Sequence, residues 1–193
     1  MSAGAALELV RPSTEHLPGY IAALQRGWSA DNLRGAAAAA EELAHIAADP
    51  VEFLANMVDR EARGGPVTLP DGSQVARLPS VRYWLWDGEF CGSIGLRWPA
   101  DKGAMPAHVL GHIGYAVVAW KQRRGHATRA LALLLREARA EGLARVEITT
   151  DPTNIASQRV ITANGGVLVE RFHRPAACGG TPALRYRIAL PAE

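Results

Sequence analysis

The run Gln122-Arg123-Arg124-Gly125-His126-Ala127 sets a glycine, two arginines and successive backbone amides where the hydrophobic pattern changes from strand to helix. Before it, Ile113 to Val118 reads as a buried strand. After it, Ala127, Leu131, Leu134 and Ala138 recur at helical spacing that ends near Gly142. Amides at such a junction suit an anion such as a pyrophosphate. The same residues also suit a plain turn beside a solvated charge run. Neither a Walker loop nor a dinucleotide fingerprint is present, because the Lys-Ser/Thr ending and the triple glycine are both missing.

A second polar constellation follows. Val146 to Thr150 is a short strand candidate, and Asp151-Pro152-Thr153-Asn154 supplies turn and cap chemistry before a helix over Ile155 to Ala163. If the two strands are parallel neighbours, both strand-to-helix turns open on one edge and a ligand can lie across them. Asn154 and Ser157 then either hydrogen-bond an extended polar ligand or simply start the helix.

Together, Gly111 to Tyr115, Gln122 to Ala127, Asp151 to Ser157 and Asn164-Gly165-Gly166 resemble the acyl-CoA-binding core of the GNAT N-acetyltransferase superfamily, most closely over about residues 80 to 172. The resemblance implies an α/β fold with a mixed, mostly antiparallel central sheet, splayed parallel strands and flanking helices. It implies acetyl-CoA as acyl donor, its pyrophosphate on the amides of Gln122, Arg123, Arg124, Gly125, His126, Ala127 and Thr128, and its pantetheine arm between strands 113–119 and 145–150. Asn154 and Ser157 join the cofactor contacts, and an amide at Val117 or Val118 is the expected polarising donor for the thioester carbonyl.

The implied activity is direct acetyl transfer to a primary amine of a small metabolite or a peptide N-terminus; the alternative is a non-catalytic acyl-CoA-binding or sensing protein. An ammonium must lose a proton before it attacks. His112, at the entrance to the first strand, is the favoured base because its intrinsic pKa suits proton transfer. Glu147, on the strand face shared with Arg145 and Thr149, is the second. The superfamily's tyrosine seven residues after Asn154 is replaced by Ile161, so the helix is an Asn-x-x-Ser variant. Ser157 can orient the sulfur or relay a proton, or merely cap the helix. Tyr115 is a further phenol, with core packing as its plainer role.

The elements that must position these groups are readable. Leu7 to Val10 can form a strand, and Thr14 starts a helix with Leu17, Ile21, Leu24 and Trp28 on one stripe. Another helix spans about Leu33 to Ala47, and Asp49-Pro50-Val51-Glu52 opens a third. These helices are expected to line the acceptor pocket, and Trp28 either packs or touches substrate. Gly64 to Pro79 is rich in turn signals, a candidate mobile loop. Residues 81–86 and 89–97 make a hairpin about Asp87-Gly88. The irregular stretch from Pro99 to Leu110 is where Arg97 can meet a carboxylate-bearing substrate or a surface partner. Val167 to Val169 and Leu184 to Leu190 form a closing hairpin, with Arg171, His173 and Arg174 free for an acidic acceptor, a dimer edge or water.

A chain of 193 residues, 48% hydrophobic, can bury one substantial core, so residues 1–193 are expected to be a single acyltransferase domain. A net charge of +2 gives little field for nucleic acid, and the arginines near the turn are assigned to CoA phosphates. No leader or membrane span is evident, which predicts a soluble cytoplasmic protein with no membrane partner. Cys91 and Cys178 read as free thiols, and the six histidines show no metal-ligand spacing, so no metal is expected. A homodimer is the modest favourite.

Overall fold

The computed structural model describes residues 6–31, 34–69 and 72–191. In chain order the elements are β1 (Glu8–Val10), α1 (Leu17–Gln25), α2 (Ala36–Ala48), α3 (Pro50–Ala55), β2 (Val58–Asp59), β3 (Val67–Thr68), β4 (Gln74–Val75), β5 (Ser80–Trp86), β6 (Phe90–Arg97), β7 (Ile113–Val117), α4 (His126–Ala140), β8 (Arg145–Thr150), α5 (Ile155–Ala163), β9 (Val167–His173) and β10 (Pro182–Ala189). This is a mixed α/β fold with a central antiparallel sheet and flanking helices. Its described residues fall into two compact units: one holds the chain up to Val58 with 81–95 and 115–130, the other 59–80, 96–114 and Leu131 onward.

In the first unit, α1 begins at Leu17 rather than Thr14. The carbonyl of Ser13 accepts the N–H groups of both His16 and Leu17 in a preceding turn, and Pro18 fits the first helical turn, where no N–H is needed. Leu33, where the second helix was expected to start, lies outside the described residues; α2 itself begins at Ala36. α3 opens as its residues dictate: the Asp49 carboxylate accepts from Val51 N and Glu52 N at 3.0 and 2.9 Å, and Pro50 occupies the first turn.

These helices bury an aromatic core. Tyr20 stacks on Trp84 with ring centroids 4.7 Å apart, and Trp28 and Phe90 meet it edge-on. Its hydroxyl donates to Glu42, and burial pushes its pKa far above the ordinary phenol value. β5 is buried on both faces, through Tyr83 and Leu85 on one and Trp84 on the other. Trp84 is therefore core. Gly92 on β6 has φ +146°, and a Cβ there would stand 2.2 Å from the Ala116 carbonyl oxygen, so only glycine lets the two backbones approach this closely.

In the second unit a three-stranded sheet runs in the order β8, β10, β9, with β10 antiparallel to both neighbours. Val146 faces Ile188 and Ile148 faces Tyr186, so one sheet face is apolar while Arg145, Glu147 and Thr149 take the other. The expected closing hairpin is present, with β10 additionally inserted beside β8. β7 belongs to the other sheet, whose order is β1, β5, β6, β7 with β2 also on β5. β7 and β8 thus belong to different sheets. The Gly64 to Pro79 stretch contains the short β3/β4 hairpin, pairing Val67 with Val75 and Thr68 with Gln74. Pro70 and Asp71, part of its turn signal, lie outside the described residues.

Candidate functional site

Two residues of the 122–127 turn adopt left-handed backbone: Arg123 at φ +61° and Gly125 at φ +79°. Gln122 before them is extended and α4 starts at once with His126, a turn conformation in which successive N–H groups can line one concave side. A Cβ on Gly125 would meet nothing within 4 Å, so the space beside the turn is open. Gln122, Arg123, Arg124 and Gly125 are exposed, and His126, Ala127 and Thr128 are half-buried. The geometry can wrap an oxyanion in backbone amides with arginine at its rim.

Fewer cations are available there than the sequence suggests. Arg129 Nε donates to the Leu7 carbonyl at 3.2 Å and Arg124 Nη2 to that of Trp120 at 3.3 Å. Lys121 is turned inward: its ammonium lies 2.9 and 3.1 Å from the two Asp87 oxygens and 2.5 Å from Glu89. Burial pulls the Lys121 pKa down, but hydrogen bonds to Glu89 and Asp87 outweigh it and leave it raised. Burial pushes the Asp87 pKa up, and hydrogen bonds from Lys121 and Cys91 together with the charges of Lys121 and His126 more than reverse that. On the other side of the turn, His126 Nε2 is 3.3 Å from Asp87 Oδ2. Asp87 therefore holds Lys121, the residue before the turn, while His126 Nε2 makes no hydrogen bond and pairs with Asp87 only when its ring is charged. Sequence reading assigned Asp87 only to its hairpin, since the spacing from Asp87 to Lys121 carries no periodic signal.

Asp87, Cys91 and His126 bring ligand atoms within 4.8 Å of one another, as a metal site would. Lys121 already supplies the cation, and burial pushes the Cys91 thiol up to about 12, so it offers no thiolate near neutral pH. The cluster is an internal ion-pair lock.

Immediately after the edge strand β7, Val118 N donates to the Cys91 carbonyl at 3.0 Å and its side chain is fully buried. Amides alternate sides along a strand, so the Val117 N–H faces away from β6, and the Val117 carbonyl on that same side accepts from Gln122 Nε2 at 3.3 Å. This narrows the two-residue expectation for the polarising amide to Val117, because the Val118 donor is committed to the sheet. Gln122 serves the turn by tying it to that edge.

His112, at the entry to β7, is 5% exposed. Its Nδ1 accepts from Glu147 N at 3.0 Å, so the neutral ring carries its proton on Nε2. Burial lowers its pKa, and Arg145 and Arg97 act in the same direction against Glu147. The ring is thus a neutral donor whose basic nitrogen is already occupied. Glu147 Oε1 accepts from Arg187 at 2.8 and 3.2 Å, and Oε2 lies 3.8 Å from Arg185 Nε. Asn154 caps α5, its Oδ1 accepting from Ser157 N at 3.0 Å. Ile161, at the tyrosine position, is fully buried. Of the tail cations, Arg174 pairs with Asp151 at 2.6 Å and is not free for an acceptor.

Sequence reading missed a cavity of about 300 Å³ in the second unit, lined by Lys102, His112, Arg145, Glu147, Arg185 and Arg187 with the 103–107 segment. Its walls come from stretches about 40 residues apart in sequence, and only the β8/β10 pairing brings Glu147 opposite Arg187.

The chain matches, over residues 7–167, the family model described as an acetyltransferase (GNAT) domain. No curated protein matches at a significant level. Among solved structures it is similar to the ribosomal L7/L12 alpha-N-protein acetyltransferase RimL in complex with coenzyme A, with TM-score 0.64, 17% identity, and coverage of 100% of this chain and 97% of that one. It is also similar to the Salmonella typhimurium acetyl transferase that modifies the N-terminal serine of L7/L12, with TM-score 0.62, 18% identity and coverage of 98% and 97%. The microcin C7 self-immunity acetyltransferase MccE in complex with acetyl-CoA and AMP aligns with TM-score 0.61, 12% identity and coverage of 95% and 92%. No helix among the described residues is long and apolar enough to cross a membrane.

Proposed function

Because the chain belongs to the GNAT acetyltransferase family, we propose that it is a single-domain N-acetyltransferase that moves the acetyl group of acetyl-CoA directly to a primary amine of a small metabolite or a peptide N-terminus. The observation that carries this reading is the left-handed backbone at Arg123 and Gly125 immediately before α4. Such a turn has little purpose in packing, since the space beside Gly125 is open, and it suits a pyrophosphate. The family match spans residues from both compact units, which supports one functional domain.

Acetyl-CoA, when bound, supplies an acetyl group activated as a thioester. The amides of residues 123–128 would hold its phosphates, assisted by the exposed guanidinium group of Arg123. Val117 N–H would be placed to polarise the carbonyl, being a fixed edge dipole that needs no reorganisation. Ser157 orients the sulfur or relays a proton to it, and Asn154 holds the helix turn carrying Ser157. Glu147 and His112 both stay candidates for the proton acceptor: the His112 lone pair accepts from a backbone amide and the Glu147 carboxylate is paired with Arg187, so either must release that partner to take a proton. L7/L12 alpha-N-acetylation by the structural neighbours supports a peptide N-terminus as one acceptor class.

Calorimetry with acetyl-CoA and CoA tests the cradle, comparing wild type with Gly125→Glu after both are shown to fold. Micromolar wild-type binding lost in the variant supports it, and absence of wild-type binding refutes it. Thiol release on adding amines then separates an enzyme from a sensor, which binds CoA without consuming the thioester.

A further inference from the structure

We propose that the cavity walled by Lys102, Arg145, Arg185 and Arg187 is a binding site for a small dianion, a molecule bearing a phosphate or two carboxylates. Its volume, about 300 Å³, sits at the lower end of small-ligand sites, roughly 300–1,000 Å³. Four cationic side chains line it against one carboxylate, that of Glu147. Glu147 is taken by Arg187 at 2.8 Å, and Arg185 reaches outward to Glu170, also at 2.8 Å. Two cations are thus compensated, and Lys102 and Arg145 make no ion pair among the described residues.

Two donors point the same way. Arg185 Nε is buried and has no hydrogen-bond partner. His112, itself 5% exposed, lines the cavity with its Nδ1 already accepting from Glu147 N, which leaves Nε2 as the proton-bearing atom. The Arg185 Nε–H, 3.8 Å from Glu147 Oε2 and short of a hydrogen bond to it, and the imidazole N–H lie beside two cations that make no ion pair. Guanidinium forks match the oxygens of phosphate and carboxylate, and an anion would relieve both the repulsion among the cations and the unmade hydrogen bonds. The residual charge of two selects a dianion over a monoanion. No lining residue belongs to the 122–128 turn, so the site is chemically separate from the proposed pyrophosphate cradle.

The dianion is either the acidic part of the acceptor or a separate ligand, and the test distinguishes them. Inorganic phosphate and succinate are titrated into wild type and into Lys102→Ala/Arg145→Ala, both exposed positions, with acetyl-CoA affinity measured alongside. Saturable millimolar or tighter binding is expected, weakened about tenfold or more in the variant while acetyl-CoA affinity holds. Competition between phosphate and an acid-bearing amine in the transfer assay identifies an acceptor subsite; binding without competition identifies a separate ligand. Absence of saturable wild-type binding, or binding unchanged in the variant, overturns the proposal. Loss of acetyl-CoA binding alone would strike only the cradle.

Discussion

Replacing Asp87 with asparagine tests whether the ion-pair lock organises the phosphate turn. The substitution preserves shape and removes the charge that faces Lys121, whose side chain is 8% exposed. Breaking a buried pair from one side costs about 3–5 kcal/mol. Glu89 stays within 2.5 Å of the ammonium, but its side chain is 66% exposed, and a pair of that kind returns only about 0–1 kcal/mol. The expected loss at pH 7 is therefore about 2–4 kcal/mol, read from urea unfolding. Lys121→Met combined with Asp87→Asn removes both charges and should recover part of that loss, giving a coupling energy of about 1–3 kcal/mol in a double-mutant cycle. Because Lys121 abuts the turn, CoA affinity should fall about tenfold in the single variant, or ~1.4 kcal/mol. The Asp87 carboxyl is held below its ordinary value, so its stabilisation is full above about pH 4 and lost as pH falls through the folded pKa; the variant lacks that acid limb. A loss under about 0.5 kcal/mol, or strictly additive single effects, would refute the lock.

Three further outcomes are expected. Gly125→Ala should cost about 1 kcal/mol, since φ +79° is strained for any side chain, with CoA affinity in calorimetry falling more than thermal stability. Gly92→Ala should destabilise by more than about 2 kcal/mol in denaturant unfolding, because its Cβ would collide with the Ala116 carbonyl. His112, with its pKa lowered, binds fewer protons folded than unfolded; stability should therefore decline as pH drops below about 6.5, and His112→Asn, which keeps an acceptor near Nδ1, should flatten that decline in pH-resolved unfolding.

Legibility in the sequence followed the range over which each signal acts. Helix α5, the α3 cap at Asp49 and the hairpin at Asp87-Gly88 depend on neighbours a few residues away, and pattern reading located them. The turn at Gly125 was visible for the same reason. What escaped was cross-chain pairing. Lys121 looked like one member of a basic run, yet its partner is 34 residues upstream. Val118 could not be separated from Val117 until the ladder bond to Cys91 fixed which amide faces outward. His112 looked suited to be a base from its intrinsic chemistry, and only its contact with Glu147 N shows which nitrogen is occupied. The cationic cavity required knowing that β10 lies against β8.

The placement of β10 between β8 and β9 has a bearing on biogenesis. On the ribosome, both outer strands are made before the strand that each of them pairs with, so neither can complete its hydrogen-bond ladder until β10 emerges. During that interval Val167 and Val169, which remain 65% and 43% exposed even in the finished fold, lie on an unpaired strand open to neighbouring chains. Delaying the docking of β10 during refolding should therefore raise aggregation, read by light scattering, without altering the stability of the completed protein.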